Sequence, residues 1–341
     1  MEKRRILVVG GAGYIGSHVA KDLLAEGCDV FVLDDLSLGH KELVPEGAVL
    51  KTGDLGDASV LDDIFSKHPI DAVMHFAAYA LVGESVEEPL KYYHNNVART
   101  VELLKAMVRH GVDYFIFSSS AAVYGEPNDI PIMEDHPCNP INPYGSSKLF
   151  VEQILGYCDH AYGLKSVSFR YFNAAGADES GKIGERHDPE THLIPLVLQV
   201  ALGKREQIEI YGTDYPTQDG TCIRDYIHVS DLGRAHILAV ESLMGGLKSS
   251  TYNLGNSKGY SVKEVIDMAE KVTGCPIKRI ESDRRPGDPA VLVAGSEKAR
   301  KELGWQPRYE ELEDIIRTAW IWHQNDAKKV KISRQAAKTA K

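Results

Sequence analysis

A glycine-rich turn, Gly10-Gly11-Ala12-Gly13-Tyr14-Ile15-Gly16, follows directly on the apolar run Ile6 to Val9 and precedes a helical segment. A continuous apolar run is typical of a parallel strand that is buried on both faces. Between strand and helix, Gly10 permits a tight turn, Gly13 lets the backbone approach a phosphate, and Gly16 lets helix and strand pack closely. The spacing therefore predicts a dinucleotide whose pyrophosphate lies at the helix N-terminus.

The second strand supports the same interpretation. It runs from Val30 to Leu33 and ends in Asp34, 18 residues after Gly16. A carboxylate about 20 residues beyond the glycines can bind the hydroxyls of the adenosine ribose. Asp34 would repel a 2′-phosphate, and no basic residue stands between it and Gly39. The sequence therefore favours NAD over NADP.

Strands and helices continue to alternate, which predicts an α/β fold with a Rossmann-type doubly wound parallel sheet. Such sheets bind ligands at the carboxyl ends of their strands. The candidate cofactor residues at these ends and on the following helix are Asp54, Leu55, Phe76, Ala77, Ala78, Asn95 and Ser118.

The alternation predicts three regions. Residues 1–175 form the NAD-binding domain, joined by about 226–256, and residues 176–326 form a smaller C-terminal α/β substrate lobe. Residues 327–341 contain six Lys or Arg and no acidic residue, and we expect a disordered basic tail.

Composition excludes several classes of function. A net charge of −10 gives no reason to expect nucleic acid. The apolar run Ile6 to Val9 is too short for a signal peptide or a membrane span, and five scattered cysteines suit a reducing compartment. The chain has neither H-x-x-x-H nor G-x-S-x-G. We expect a cytoplasmic protein that binds neither membrane nor metal and is not a serine hydrolase.

Tyr144 and Lys148 are the candidate catalytic pair. They open an apolar-periodic segment, so they should lie one turn apart on one helix face. A fixed ammonium favours the phenolate form of a nearby tyrosine, which makes the tyrosine a usable base near neutrality. Ser120 ends the strand that starts at Tyr114 and should face the reacting centre.

In this order, the glycine turn, Asp34, Ser120, Tyr144 and Lys148 resemble the extended short-chain dehydrogenase/reductase superfamily. Within it, the likeness is to the UDP-glucose 4-epimerases. It also includes Ser118-Ser119-Ser120-Ala121-Ala122-Val123-Tyr124-Gly125, Arg170-Tyr171-Phe172-Asn173, Asp219-Gly220-Thr221-Cys222-Ile223-Arg224-Asp225-Tyr226 and Arg285-Pro286-Gly287-Asp288.

The resemblance implies tightly held NAD, a UDP-sugar substrate, a homodimer and epimerisation through a 4-keto sugar and enzyme-bound NADH. It adds Tyr14, Ile15 and Tyr171 to the cofactor contacts. Its substrate contacts are Ser120, Tyr144, Asn173, Leu193, Tyr211, Arg224, Arg285, Asp288 and Leu292. Arginine also suits a pyrophosphate for physical reasons, because its guanidinium can bind phosphate with two parallel hydrogen bonds.

The sequence departs from the family's pattern at two positions, and several alternative functions remain open. Many members carry a lysine near Ala80, and Ala122 replaces a common threonine. A 4,6-dehydratase would need an Asp-Glu pair where this chain has Ala121 and Ala122. Epimerases of UDP-xylose/UDP-arabinose or UDP-N-acetylglucosamine share these motifs, and Leu292 is of intermediate size where bulk decides whether an N-acetyl group fits. The non-enzymatic alternative is an NAD-sensing binding protein.

Overall fold

A parallel sheet forms the centre of the protein in the computed structural model, which describes residues 3–285 and 287–339. The strands are β1 Arg5–Val9, β2 Asp29–Asp34, β3 Val49–Thr52, β4 Ala72–His75, β5 Tyr114–Ser120, β6 Lys165–Tyr171, β7 Asn173–Ala175, β8 Ile208–Tyr211, β9 Ile223–His228, β10 Ser250–Leu254, β11 Gly259–Ser261, β12 Arg279–Ser282 and β13 Val291–Leu292. Within the described ranges, seven strands pair in the order β10-β6-β5-β4-β1-β2-β3, all parallel. This confirms the predicted fold class.

Helices cover both faces of this sheet, and others belong to the second part of the molecule. In chain order the α-helices of the described residues are α1 Tyr14–Ala25, α2 Ala58–Lys67, α3 Val82–Glu87, α4 Pro89–Tyr92, α5 Arg99–His110, α6 Pro143–Tyr162, α7 Leu193–Ala201, α8 Val229–Met244, α9 Val262–Thr273, α10 Glu297–Leu303 and α11 Leu312–Thr339. Alternate residues of a strand point to opposite faces. Ile6 and Val8 accordingly pack in one core with α1 and α8, whereas Leu7 and Val9 pack in another with α2, α5 and α6.

The second part of the molecule begins at the carboxyl end of β6. There β7 follows after one residue and pairs with β9, which also pairs with β11 and β13, while β8 pairs with β12. Apolar residues of α7, α9 and α11 share one core with these strands. Between β9 and β11 the chain returns to the main sheet through α8 and β10, so the two parts are interleaved in sequence.

The C-terminal region differs from its prediction. Instead of a disordered tail from residue 327, α11 continues to Thr339, and the last two residues lie outside the described ones. The segment is rich in Ala and Lys and contains neither Pro nor Gly. Nothing in the sequence therefore ends the helix that Leu312 begins. Across the described ranges, no helix combines the length and hydropathy needed to span a bilayer.

A buried ion pair holds α6 against the sheet. The Arg170 guanidinium on β6 donates to both oxygens of Glu152 on α6, at 3.1 and 2.7 Å, and both side chains are only 8% exposed. Glu152 also accepts a hydrogen bond of 2.5 Å from the Ser119 hydroxyl, and Arg170 donates to the Tyr124 hydroxyl at 2.9 Å. Because the groups satisfy one another, the buried charges are compensated.

Glu152→Gln should lower the free energy of unfolding by about 3 kcal/mol, because it leaves the Arg170 charge buried without a counterion. Urea unfolding at a fixed NAD concentration measures the change. The matched control is Glu102→Gln, which removes an exposed i,i+3 partner of Lys105 and should cost less than about 0.5 kcal/mol. Equal losses in the two variants would show that the buried pair has no special role in stability.

Candidate active site

The N-terminal turn of α6 brings the predicted catalytic pair to the end of β5. Asn142 caps the helix by accepting a hydrogen bond of 2.9 Å from the Gly145 amide. A Cβ at Gly145 would lie 2.4 Å from the Ala122 carbonyl oxygen, so only glycine allows this approach. The Lys148 ammonium is buried and donates to the Ser118 carbonyl oxygen at 2.7 Å. It lies 5.8 Å from the ring centre of Tyr144.

Ser120 ends β5 beside this pair. Its hydroxyl oxygen accepts a hydrogen bond of 3.1 Å from the Ala122 amide, and its proximity to Tyr144 lowers the pKa of the phenol. The three predicted catalytic residues are therefore together at the carboxyl end of the central sheet. This end of the sheet thus carries a hydroxyl, a phenol and an ammonium.

Burial controls the protonation of this site. It raises the pKa of Tyr144, against the effect of Ser120, and it lowers the pKa of Lys148 from 10.5 to about 7, against the effect of Glu152. The protein's own groups thus favour a neutral phenol and a weakened ammonium. Further positive charge near Tyr144 would favour its phenolate form.

The glycine turn is shaped to admit a phosphate. Gly10 has φ +80°, and a Cβ there would lie 2.5 Å from the Ala77 amide nitrogen. A Cβ at Gly16 would lie 2.2 Å from the Gly10 carbonyl oxygen. Gly13 precedes α1, whose N-terminus has no side-chain cap. Its first amide groups can therefore bind an anion.

Two predicted cofactor carboxylates differ in their surroundings. Asp34 is buried at the end of β2, where its oxygens accept hydrogen bonds of 2.9 Å from the amides of Ala12 and Leu36. Asp54 is half exposed, forms an ion pair of 2.8 Å with Arg99 and accepts from the Gly56 amide at 2.7 Å. Asp34 is fixed by the glycine turn itself, whereas Asp54 already has a structural partner.

The loop after β4, which carries Phe76, Ala77 and Ala78, is anchored by a residue that sequence reasoning missed. Asn96 is buried, accepts from the Tyr79 amide at 2.9 Å and donates to the Tyr79 carbonyl oxygen at 3.0 Å. Its amide also donates to Ser147 on α6 at 3.1 Å. The predicted Asn95 instead bonds Arg99 and Asn96. An asparagine pair inside a helical segment was the only available signal.

Other predicted cofactor residues have internal contacts. The Tyr14 hydroxyl donates to the Gly176 carbonyl oxygen at 2.7 Å, and Tyr171 shares a hydrogen bond of 2.5 Å with His236. The Leu55 side chain packs in the core. These side chains therefore position the backbone around the site.

Most predicted substrate residues lie around one turn of the second part. Asp288 forms an ion pair with Arg224, and its amide donates to the Arg285 carbonyl oxygen at 3.3 Å. The Arg285 guanidinium lies 3.9 Å from the ring centre of Tyr211. Leu292 is paired with Arg224 in the register of β13 and β9. Arg224, Arg285 and the ring of Tyr211 therefore lie around this turn.

The two remaining predicted contacts lie on other elements. Asn173 begins β7 and donates to the Asp225 carbonyl oxygen at 3.0 Å. Leu193 is the first residue of α7. Both belong to segments that follow the carboxyl end of β6 in the chain.

Comparison with known proteins places these features in a family. The model of the NAD dependent epimerase/dehydratase family matches residues 6–255. A UDP-glucose 4-epimerase from Halalkalibacterium halodurans is 56% identical over 318 residues, which cover 93% of this chain and 95% of that protein.

Solved structures of proteins with the same name also match this chain. The crystal structure of a UDP-glucose 4-epimerase matches with a TM-score of 0.93 at 53% identity, covering 94% of this chain and 98% of that one. The enzyme of the same name from Brucella ovis, in complex with NAD, matches with a TM-score of 0.91 at 48% identity, covering 93% and 97%. The chain therefore belongs to the NAD dependent epimerase/dehydratase family.

Proposed function

We propose that the protein is an NAD-dependent UDP-glucose 4-epimerase that interconverts UDP-galactose and UDP-glucose. The observation that carries the proposal is the convergence of Ser120, Tyr144 and Lys148 at the carboxyl end of the sheet whose first strand leads into the glycine turn. Relatives named UDP-glucose 4-epimerase match nearly the whole chain. An NAD-sensing protein without catalysis would have no need of this buried lysine.

NAD fits the residues present. The glycine turn, with Tyr14 and Ile15 in the first turn of α1, would hold the pyrophosphate, and Asp34 would hold the adenosine ribose. Ala77 and Ala78 would line the next segment, with Lys148 at the nicotinamide ribose. When bound, NAD supplies an acceptor for hydride from C4 of the sugar and returns that hydride to the opposite face.

Tyr144 acts as the general base in this proposal. Its phenolate oxygen takes the proton of the sugar 4-hydroxyl and later gives it back to the 4-oxygen. Ser120 donates a hydrogen bond that orients the 4-oxygen, and the Lys148 ammonium stabilises the phenolate. The 4-keto sugar turns over between the two hydride transfers while its UDP stays bound.

The turn after β5 argues against a dehydratase. Elimination of water from the sugar needs an acid and a base near C5 and C6, and the family's dehydratases carry an Asp-Glu pair there. This chain has Ala121 and Ala122 instead. Neither alanine can transfer a proton.

The arginine turn would bind the UDP part. Arg224 is paired with Asp288 and Arg285 is stacked on Tyr211, so both guanidiniums are held for a pyrophosphate. Asn173, Leu193 and Leu292 would line the sugar pocket. A UDP-pentose or UDP-N-acetylglucosamine is the alternative substrate, since Leu292 is neither large nor small.

An exposed apolar patch supports a homodimer. Phe150 and Tyr157 are two turns apart on α6 and are 44% and 77% exposed. Leu90 is 81% exposed and lies one turn before Tyr93, whose ring stacks on Phe150 at 5.7 Å. Such patches mark protein interfaces. A single-chain mass of 37.6 kDa by sedimentation equilibrium at micromolar concentration would contradict the dimer.

The free thiols support a cytoplasmic location, because the cytoplasm keeps cysteines reduced. All five cysteines are free in the structure, and Cys28 and Cys222 are buried. Cell fractionation that placed the protein outside the cytoplasm would contradict this assignment.

Tyr144→Phe should lower conversion of UDP-galactose to UDP-glucose by about 10³-fold, because it removes the proton acceptor. A coupled UDP-glucose dehydrogenase assay measures the conversion after any free NAD has been removed from the epimerisation step. Tyr162→Phe is the matched control, since Tyr162 is exposed at the end of the same helix, and it should retain wild-type turnover. Full activity of Tyr144→Phe would refute the proposed role.

Lys148→Met should remove the alkaline limb of the pH profile. In the wild type, rising pH deprotonates the ammonium, whose pKa burial lowers to about 7, and the phenolate then loses its cationic neighbour. Without that charge the pKa of Tyr144 rises, so the acid limb of the variant moves to higher pH.

Turnover of both proteins should be followed from about pH 6 to about pH 10. Lys105→Met, which changes an exposed lysine on α5, is the control and should keep the wild-type profile. Superimposable profiles for Lys148→Met and the wild type would contradict the assignment.

A further inference from the structure

Four potential metal ligands come together in the segment before α7. They lie within eight residues of sequence, and one ligand atom from each is within 4.8 Å of all the others. We call these residues the His/Glu cluster: Glu185, His187, Glu190 and His192. We propose that the His/Glu cluster binds one divalent transition-metal ion, with zinc favoured. This proposal is independent of the proposed catalytic activity.

The contacts in the cluster match the edges of a small coordination polyhedron. The Nδ1 atom of His187 lies 3.2 Å from Glu185 and 3.6 Å from Glu190, and Nδ1 of His192 lies 2.8 and 3.0 Å from the same carboxylates. Zinc bonds of about 2.0 Å in a tetrahedron place neighbouring ligand atoms about 3.3 Å apart. The four His–Glu distances are already near this value, and the other separations, none above 4.8 Å, would have to shorten for all four atoms to share one ion.

The cluster also provides negative charge for a cation. The Glu185 and Glu190 side chains are only 5% and 6% exposed. Among the residues that the structure describes, neither is paired with a lysine or an arginine. The Nδ1 atom of His187 is buried without a hydrogen bond of normal geometry, although a Glu185 oxygen is near. In the metal-free protein the two carboxylates, against the effect of burial, raise the pKa of both imidazoles, so that imidazolium rings balance them. A dication with two neutral imidazoles would balance the two carboxylates equally.

The chemical types of the four ligands favour zinc over calcium and magnesium. Two imidazole nitrogens with two carboxylate oxygens suit zinc, whereas calcium and magnesium prefer oxygen ligands alone. Four protein ligands fill a tetrahedral shell, which is typical of structural zinc. His192 is half exposed, so an ion can enter from solvent.

The position of the cluster indicates what the metal would hold. Glu185 accepts a hydrogen bond of 2.9 Å on its carbonyl oxygen from Trp322 of α11. The His187 ring meets the ring of Tyr14, in the first turn of α1, edge to face at 6.4 Å. His192 directly precedes α7. One ion would thus fix the segment that links α1, α7 and α11.

The spacing of two histidines is the signal for this site in the sequence. The expectation that the protein binds no metal rested on the absence of histidines separated by three residues. Four residues separate His187 from His192, within the range of three to five that zinc ligands show.

The test is metal content and titration of the full chain without an affinity tag. Elemental analysis should find one zinc per chain. After chelation, the protein should take up one equivalent of Co²⁺ with the visible spectrum of a tetrahedral site, and Zn²⁺ should displace it and raise the melting temperature. Mg²⁺ and Ca²⁺ should do neither.

Two variants test the ligands. His192→Gln changes an exposed side chain, and Glu190→Gln keeps an oxygen that can still accept the backbone hydrogen bonds at 2.8 and 2.9 Å. Each should weaken metal affinity by more than the 10- to 100-fold typical of outer-shell changes. His160→Gln, on the exposed end of α6, should bind as the wild type does. Absent uptake by the wild type, or uptake unchanged in both variants, would overturn the proposal and leave the cluster an ion-pair network.

Discussion

The hydrogen bond from the Lys148 ammonium to the Ser118 carbonyl oxygen is the contact on which the site depends. It joins α6 to the end of β5 and places a charge where burial opposes it. One turn further along α6, the Glu152–Arg170 ion pair fixes the same helix to β6. The helix cannot shift without breaking both. The buried ion pair and the proposed catalytic lysine therefore share one surface between helix and sheet.

The groups proposed for the reaction and the groups proposed for substrate binding lie in different parts of the molecule. The groups proposed for proton transfer lie on α6 and at the end of β5, in the main sheet and its covering helix. Groups proposed for the nucleotide part of the substrate lie on a turn held by the Arg224–Asp288 pair and the Arg285–Tyr211 stack. A substrate anchored at one place and reacting at the other can turn its sugar while its diphosphate stays bound.

Local patterns were enough to predict the alternating fold, the glycine turn and the convergence of Ser120, Tyr144 and Lys148. Contacts between distant segments were not predictable: Glu152 with Arg170, or Asn96 with the loop at Tyr79, depends on how helices dock on the sheet. The extension of α11 was not predicted because the basic composition of residues 327–341 was taken to indicate disorder. The absence of Pro and Gly from this segment, which permits a helix, was not considered. The His/Glu cluster was not predicted because only one histidine spacing, H-x-x-x-H, was considered. Zinc ligands in proteins also occur with four or five residues between two histidines.

In the proposed reaction, hydride leaves C4 of the sugar and returns to the same carbon within one site. Conversion of UDP-galactose that carries deuterium at C4, in the presence of added unlabelled NADH, distinguishes this route from an exchange with free cofactor or solvent. We predict UDP-glucose with all of its deuterium retained at C4, as measured by mass spectrometry and NMR. Loss of the label to solvent, or its dilution by the added NADH, would contradict the proposed mechanism.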